Sequence, residues 1–327
     1  MEADNVESMT LDSIKNLIEE AIEELVLKKI SSPIDQPVMS IAREVLLGGG
    51  KRYRPILAIL SYKVAGGEDQ REVLDLALSS ELIHTATLVH DDVYDQSKMR
   101  RGKPTIHSTH GTSHAIISGD YLFALGFEFG AKYDKRVVGS IRDGCAGIAS
   151  GEIRQFEHIH DLNTSPEDYY EIIDGKTAGP FASGCSCAAM IAGSSKEISD
   201  ALYGYGMELG RAFQLVDDIL DLVGDDLIGK PRGTDVHEGK MTLPIIYALT
   251  MLHGIDREHL KDILTNFGDD RLHELVELLE RAGSFEYAKL LVSNHVERAL
   301  NHIETLPDTV EKDLLREIAM ISESRTK

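Results

Sequence analysis

The amino-acid sequence predicts an all-α protein. Apolar residues recur every three or four positions in several long segments, which is the spacing of one face of a helix. The alternating pattern of exposed β-strands bounded by hairpin turns is almost absent from the sequence. Breaks containing glycine or proline come at intervals close to ordinary helix lengths. These three observations together favour an all-α bundle of about a dozen helices.

Each helical segment is recognised by its own apolar stripe. The first stripe begins at Leu11, and the second runs from Val73 to Thr87. Similar stripes begin at Leu272 and near Leu314, so the helical pattern reaches both ends of the chain. Since no linker rich in proline and serine divides these segments, we expect residues 1–327 to form one domain. The main breaks fall at 48–50, 66–67, 102–104, 165–166, 193–195 and 224–239.

Composition and charge exclude several classes of protein. The chain has 327 residues, of which 42% are hydrophobic and 27% charged, as in globular rather than disordered proteins. Its net charge of -21 argues against a general binder of nucleic acid or anionic membranes. The three cysteines form no pair typical of a disulfide framework or a zinc site. With neither a signal peptide nor a transmembrane segment in the pattern, we expect a cytoplasmic protein.

Two aspartate-rich strings follow apolar helical segments. The string DDVYD begins at Asp91, and the string DDILD begins at Asp217. Residues four apart lie on one face of a helix, so Asp91 and Asp95 project together, as do Asp217 and Asp221. Such like charges repel unless a cation lies between them, and carboxylate oxygens suit a hard ion such as Mg²⁺. Mg²⁺ shares phosphate oxygens, so the strings indicate a diphosphate ligand, whereas two solvated acidic helix ends are the simpler alternative.

Three basic clusters lie close to these strings in the sequence. Residues 51–54 supply one lysine and two arginines between three glycines and a proline that marks a helix start. A second cluster, 98–103, follows the first aspartate string, and Lys230 and Lys240 bracket a glycine-rich loop after the second. A helix N-terminus combined with lysine and arginine is an anion site. The clusters therefore predict sites for two anionic groups, although each alone is typical of a solvated turn.

Seven pieces of the sequence, in order and spread over residues 40 to 250, resemble the trans-prenyltransferases, or isoprenyl diphosphate synthases. The resemblance implies an isoprenoid-synthase-type bundle of helices around a central cavity, and a homodimer. It also implies condensation of isopentenyl diphosphate with an allylic diphosphate to give a polyprenyl diphosphate of about twenty carbons or longer. The pieces are GGGKRYRP (48–55), LIHTATLVHDDVYD (82–95), MRRGKPT (99–105), GEIRQ (151–155), KTA (176–178), FQLVDDILD (213–221) and GKPRGTDVHEGKMTLP (229–244).

The resemblance also implies roles for individual side chains, with about three Mg²⁺ ions in each active site. Isopentenyl diphosphate would be bound by Lys51, Arg54, His84 and Arg101, and the metal by Asp91, Asp95, Asp217 and Asp221. The allylic diphosphate would be bound by Arg100, Lys230 and Lys240. Developing positive charge would be stabilised by Lys176, Thr177 and Gln214.

Product length should depend on the helix that carries Asp91. Side chains one and two turns before this residue are expected to face the growing chain. Short-chain relatives often carry an aromatic residue there, whereas this sequence has Ile83, Ala86 and Thr87. The sequence therefore favours a longer product, unless a neighbouring helix supplies the floor through Phe123 or Phe127.

Two other functions remain open at this point. A class I terpene cyclase would share the fold and the first aspartate string. Such a cyclase usually has a mixed Asn/Ser/Glu second motif, and it needs no isopentenyl diphosphate site. A non-catalytic regulatory subunit of a prenyl synthase would have lost one aspartate string, but both are intact here.

Overall fold

The computed structural model describes residues 9–224 and 232–325, and the regular structure in these ranges is almost entirely helical, which confirms the all-α prediction. The two short strands β1 (Met99–Arg100) and β2 (Lys103–Pro104) form one antiparallel pair, in which Met99 lies opposite Pro104. The α-helices are α1 (Leu11–Ile30), α2 (Gln36–Leu46), α3 (Tyr53–Val64), α4 (Arg71–Tyr94), α5 (Ile106–His110), α6 (Thr112–Gly130), α7 (Lys135–Glu157), α8 (Pro166–Ile173), α9 (Gly179–Ile191), α10 (Lys196–Val223), α11 (Thr234–His237), α12 (Leu243–Met251), α13 (Gly254–Thr265), α14 (Leu272–Arg281), α15 (Ser284–Ile303) and α16 (Val310–Ser324).

Two long helices form the centre of the bundle. Helix α4 has 24 residues and α10 has 28, and each carries one aspartate string at its C-terminal end. Helix α4 packs mainly against α3 and α6, whereas α10 packs against α9 and α15. The buried apolar side chains form one contiguous cluster that extends along the chain from Ile14 to Ala319. None of the described helices is long and apolar enough to cross a membrane.

Glycines allow α6 to pack very closely on one side of α4. A Cβ atom on Gly126 would lie 2.7 Å from Cγ1 of Ile83, and one on Gly119 would lie 2.2 Å from Nε2 of His90. Only a residue without a side chain fits at such distances. This contact covers one face of α4 and leaves another face turned toward α7 and α9, where the cavity described below lies.

A buried lysine anchors the last helix of the bundle. Lys312, in the first turn of α16, is 1% exposed. Its Nζ donates hydrogen bonds to the carbonyl oxygens of Glu304 and Leu306, each at 2.8 Å, and to Oδ1 of Asp308 at 2.9 Å. The ammonium group therefore satisfies two backbone carbonyl groups of the segment that connects α15 to α16. Its three acceptors offset the cost of burying its charge there.

We expect Lys312→Met to lower the free energy of unfolding by about 2 kcal/mol, because two carbonyl groups lose their buried donor while the apolar stem is kept. Urea denaturation followed by circular dichroism measures this difference. The matched control is Lys196→Met, since Lys196 pairs with Asp200 at the surface with its side chain 81% exposed. A change of more than about 0.5 kcal/mol in the control, or none in Lys312→Met, would contradict the assignment.

Candidate active site

The two aspartate strings lie at the same end of the bundle. Asp91, Asp217 and Asp221 line one large cavity, here called the mouth, with about 2170 Å³ of empty space. The mouth is also lined by Lys51, Arg54, His84, Arg100, Arg101, Lys176, Thr177 and Gln214, so the structure brings most of the predicted site residues together. Lys230 lies outside the described residues.

The first string presents its aspartates to two different surroundings. Asp91 faces the mouth, and burial raises its pKa to about 6 even though the nearby Lys176 opposes the shift. Asp95 is the residue at which α4 ends, and its N–H donates to the carbonyl oxygen of Asp91 at 2.8 Å. Asp92 points inward, is 2% exposed, and accepts a hydrogen bond from Nε of Arg100 at 2.8 Å. Asp91 is therefore the member of this string that lines the mouth, whereas Asp95 is not among the lining residues.

The second string divides in the same way. Burial in the mouth raises the pKa of Asp217, and Arg325 and Lys51 partly offset this shift. Asp218 is turned away from the mouth, where it accepts hydrogen bonds from Oη of Tyr169 at 2.6 Å and Nε2 of Gln214 at 2.9 Å. Burial, assisted by the charge of Asp235, raises the pKa of Asp218 to about 8. Both oxygens of Asp218 accept hydrogen bonds from within the protein, so this residue is a structural partner of Tyr169 and Gln214.

Asp221, Arg232 and Asp235 form another part of the lining of the mouth. Oδ2 of Asp221 accepts a hydrogen bond from the backbone N–H of Asp235 at 3.2 Å. Lys240 lies between the two strings, with its Nζ 3.5 Å from Oδ2 of Asp95, 3.7 Å from Oδ1 of Asp235, and in contact with Oε2 of Glu238. Burial lowers the pKa of Lys240, but these three carboxylates outweigh it and raise the pKa above its usual value. This ammonium group is therefore charged.

The basic residues after the three glycines separate into two kinds. Arg52 has a left-handed backbone (φ 53°) and turns into the core, where it pairs with Glu81 and with Glu19 at 2.9 Å. All three basic residues border the mouth, but Lys51 and Arg54 do not share the ion pairs of Arg52, and the guanidinium of Arg54 lies 4.6 Å from the ring centroid of Phe181. Burial lowers the pKa of Arg54 to about 10, which is still above neutral pH. Arg54, like Lys51, therefore presents positive charge to the mouth.

His84 and Arg101 extend the positive wall toward α4. Burial, followed by repulsion from neighbouring arginines, holds the pKa of His84 well below 6.5, so its imidazole is neutral at neutral pH. Arg101, which also has a left-handed backbone (φ 51°), donates from Nη1 to the carbonyl oxygen of Gly49. This bond connects the β1–β2 hairpin with the glycine-rich segment before α3. The two anion-binding segments predicted from the sequence are thus adjacent in the fold.

Three further predicted residues meet on the opposite wall. Lys176 and Thr177 lie on a π-helical turn, Asp174–Ala178, which joins α8 to α9. Nζ of Lys176 contacts Oε2 of Glu152 and donates to Oε1 of Gln155 at 2.9 Å. The Thr177 hydroxyl donates to Oε1 of Gln214 at 2.9 Å, and the other end of that amide is held by Asp218. The side chain of Gln214 is therefore fixed in orientation.

A narrower apolar cavity continues inward from the mouth. It has about 550 Å³ of empty space, and it shares Arg54, His84, Thr87, Ile148 and Lys176 with the mouth. None of the described residues that line it is a phenylalanine, tyrosine or tryptophan. Its deeper wall is formed by α4, α7 and α9 through Leu76, Ser79, Ser80, Ile83, Ile141, Gly144, Cys145, Pro180, Ser183, Gly184 and Cys187.

The expected lining of this cavity needs correction at three positions. Ile83 and Thr87 line it, but Ala86 is 0% exposed and is not among the lining residues, because it lies on another face of α4. Neither Phe123 nor Phe127 reaches the cavity. The glycines of α6 face α4, so Phe127 is turned outward and is 41% exposed. The neighbouring walls come from α7 and α9 instead.

Some residues of the site gave no signal in the sequence. Arg325, directly after α16, reaches the mouth, where its Nη2 lies 3.2 Å from Oδ1 of Asp217 and its guanidinium lies 5.3 Å from the ring centroid of Phe213. Glu152 and Gln155 belong to a sequence piece used for the resemblance, but their contact with Lys176 was not foreseen. Each of these contacts joins distant parts of the chain, so local spacing cannot reveal them.

The carboxylates of the mouth fit a hard divalent metal. They supply only oxygen donors, which are the ligands that hard divalent ions prefer. Within 9–224 and 232–325, no three His, Cys, Asp or Glu side chains are grouped so that they could hold a metal by themselves. A metal that keeps several waters and also binds phosphate oxygens needs only one or two protein carboxylates. The separated strings therefore fit a metal whose coordination is completed by water and a phosphorylated ligand.

Comparisons with known proteins agree with this geometry. The family model for polyprenyl synthetase matches residues 35–279. An all-trans-nonaprenyl-diphosphate synthase of Rhodobacter capsulatus is 34% identical over 309 residues, covering 93% of this chain and 94% of its own. A short chain isoprenyl diphosphate synthase of Methanothermobacter thermautotrophicus is 36% identical over 307 residues, covering 92% and 94%.

A solved structure shares the whole fold. The polyprenyl synthase of Caulobacter crescentus, crystallised with calcium and isoprenyl diphosphate, superimposes with a TM-score of 0.89 at 31% identity, covering 98% of this chain and 99% of its own. The family match spans most of the chain and includes both aspartate strings. The chain therefore belongs to the polyprenyl synthetase family.

Proposed function

We propose that this protein is a Mg²⁺-dependent trans-prenyltransferase. It condenses isopentenyl diphosphate with an allylic diphosphate to give a polyprenyl diphosphate of about twenty carbons or longer. The observation that carries the proposal is the junction of a charged mouth with an apolar cavity. Carboxylates and basic side chains in the mouth suit two diphosphates and their metal, and the apolar cavity suits a hydrocarbon chain.

The two diphosphates would occupy different walls of the mouth. Isopentenyl diphosphate would be held by Lys51, Arg54 and Arg101, together with the neutral ring of His84. On the other wall, the allylic diphosphate would be held by Arg100 and Lys240, and by Lys230 as the resemblance implies. Asp91, Asp95, Asp217 and Asp221 would hold Mg²⁺, with about three ions in each site. When bound, Mg²⁺ would neutralise the diphosphate leaving group as a Lewis acid.

The remaining polar groups would act on the allylic cation and on the proton. As the allylic C–O bond breaks, the diphosphate leaves with the electron pair, and the double bond of isopentenyl diphosphate attacks the carbon left behind. Thr177 and Gln214, fixed by their mutual hydrogen bond, would present oriented dipoles that stabilise positive charge without reacting. His84 is a weak base because its pKa is so low, so the released diphosphate would accept the proton lost from the new chain.

We also propose a cytoplasmic homodimer of one-domain subunits. The three cysteines are free, which suits a reducing compartment. The single apolar core supports one domain for residues 1–327. Helices α6 and α7 expose a row of large apolar side chains that a second copy could cover. They are Ile116, Ile117, Phe127, Ile153 and Phe156.

Asp91→Asn and Asp217→Asn should each lower the rate of Mg²⁺-dependent condensation by roughly 100-fold or more, because each removes a charge beside the leaving group. Incorporation of labelled isopentenyl diphosphate, measured over a range of Mg²⁺ concentrations, tests this. The control is Asp75→Asn, on the same helix α4 but paired with Lys132 at the surface. Full activity in either mutant would refute the metal assignment, and an inactive wild-type chain would instead favour a regulatory subunit.

Lys51→Ala should raise the KM for isopentenyl diphosphate by roughly tenfold and leave the KM for the allylic substrate nearly unchanged, because Lys51 is proposed to bind the diphosphate of isopentenyl diphosphate. Initial rates with each substrate varied in turn measure both constants. Lys63→Ala, at the far end of α3, is the control, since its Nζ donates to the carbonyl oxygen of Glu68 and Lys63 is not among the residues that line the mouth. Equal increases in both constants would contradict the proposed division of the mouth.

Thr87→Phe should shorten the product, because the ring would enter the apolar cavity one turn before Asp91. The products formed from labelled isopentenyl diphosphate and farnesyl diphosphate can be dephosphorylated and separated by chain length. Thr87→Val keeps the size of the side chain and should leave the distribution unchanged. An unaltered distribution in Thr87→Phe would mean that the growing chain does not pass this position.

A further inference from the structure

The π-helical turn Asp174–Ala178 is an unusual segment within the helical walls of the site. It lies between α8 and α9, where a continuous α-helix would otherwise run. π-Helical turns are rare, and they often occur at functional sites because tertiary contacts are needed to hold them. This turn carries Lys176 and Thr177 to the junction of the mouth and the apolar cavity. The contacts that hold the turn therefore determine where these two residues lie.

Glycines fix the turn against α7 on one side. A Cβ atom on Gly175 would lie 2.6 Å from the carbonyl oxygen of Gly147, and one on Gly151 would lie 2.9 Å from that of Ile172. The turn thus rests directly on the backbone of α7. This contact sets the distance between the turn and α7, but glycines alone cannot prevent the turn from rotating or relaxing to an α-helical form.

An ion pair with α10 holds the other side. Nε and Nη2 of Arg211 donate to the two oxygens of Asp174 at 2.7 and 2.6 Å, which is a bidentate arrangement. Asp174 is the first residue of the π-helical turn, and Arg211 lies on α10 three residues before Gln214. Gln214 accepts a hydrogen bond from the Thr177 hydroxyl, so α10 holds the turn at two points, Asp174 and Thr177.

A buried network keeps Arg211 itself in place. Nη1 of Arg211 donates to Oε1 of Glu208 at 2.8 Å. Oε2 of Glu208 is 2.7 Å from Nδ1 of His295 and accepts from Nε of Arg298 at 2.8 Å. Burial alone would raise the pKa of Glu208, but these two partners lower it to about 2, so the carboxylate is charged. Nε2 of His295 is in turn 2.9 Å from Oη of Tyr170, which closes the network back onto α8.

We propose that Asp174 and Arg211 are a positioning pair for the condensation reaction. The pair holds the π-helical turn so that Lys176 and Thr177 face the carbon atoms that react, and it contributes to the chemical step rather than to diphosphate binding. This inference rests on the proposed function, because it assigns a role to the turn within that reaction. Neither Asp174 nor Arg211 is among the residues that line the mouth or the apolar cavity, so neither is a catalytic residue.

The first test separates kcat from KM. Asp174→Asn and Arg211→Gln should each lower kcat by roughly tenfold, because small displacements of groups near the reacting atoms have large effects on rate. The KM for isopentenyl diphosphate should stay within about twofold, since Lys51, just before α3, and Arg54, on α3, are untouched. Asp262→Asn is the matched control, because it breaks another aspartate–arginine pair, with Arg271 at 2.8 Å, far from the cavity. An unchanged kcat in both variants would overturn the inference.

The second test shows whether the pair acts through Lys176 and Thr177. In a background with both Lys176→Met and Thr177→Val, Asp174→Asn should lower kcat by only about twofold, because the groups that the pair positions are already missing. An equal tenfold loss in both backgrounds would mean that the pair only stabilises the fold, and would also overturn the inference. Both tests require an active wild-type enzyme. An inactive wild type would refute the proposed function, whereas an active wild type with unaffected variants would refute only the positioning role.

Discussion

The structure depends on bringing two groups of carboxylates to one place without letting their repulsion open the bundle. Like charges that are partly removed from water repel strongly unless cations lie among them. Here each group of carboxylates is met by basic residues. Arg100, from the hairpin just after α4, pairs with Asp92. Lys240 and Arg325, from distant parts of the chain, lie beside Asp95 and Asp217. The charged side chains that balance one another at this site come from the long helices α4 and α10, the hairpin β1–β2 and the end of α16.

The same balance of charges explains why the aspartates of each string face different surroundings. On an α-helix, two residues of a five-residue string share one face, and a neighbour points elsewhere. Asp92 and Asp218 point into the protein and take fixed donors, whereas Asp91 and Asp217 face the mouth. The inward aspartates hold Arg100 and Gln214 in place, so the side chains that face the mouth have defined neighbours. Such support of functional groups by a second layer of hydrogen bonds is a general requirement for precise geometry.

Sequence reasoning anticipated the features that depend on local spacing. The all-α architecture follows from apolar periodicity, and the pairing of Asp91 with Asp95 follows from helical geometry. It could not separate Arg52 from its neighbours, because a left-handed residue sends that side chain into the core. It placed Ala86 at the cavity because helical spacing narrows the residues that could face the cavity to an arc of α4, and it does not decide which residues of that arc other helices cover. Arg325 was missed because contacts between distant segments leave no local pattern.

The π-helical turn shows most clearly why part of the site lies beyond such reasoning. A sequence read with a constant helical period gives no indication that the segment between α8 and α9 changes its winding, although the change alters the direction of every side chain in the turn. The turn exists because glycines let it rest on α7 and because Arg211 binds Asp174 from α10. Partly buried ion pairs are weak contributors to net stability compared with apolar packing, since desolvation opposes them. A network that extends from Asp174 through Glu208 to His295 is therefore better explained by the geometry it enforces than by the stability it adds.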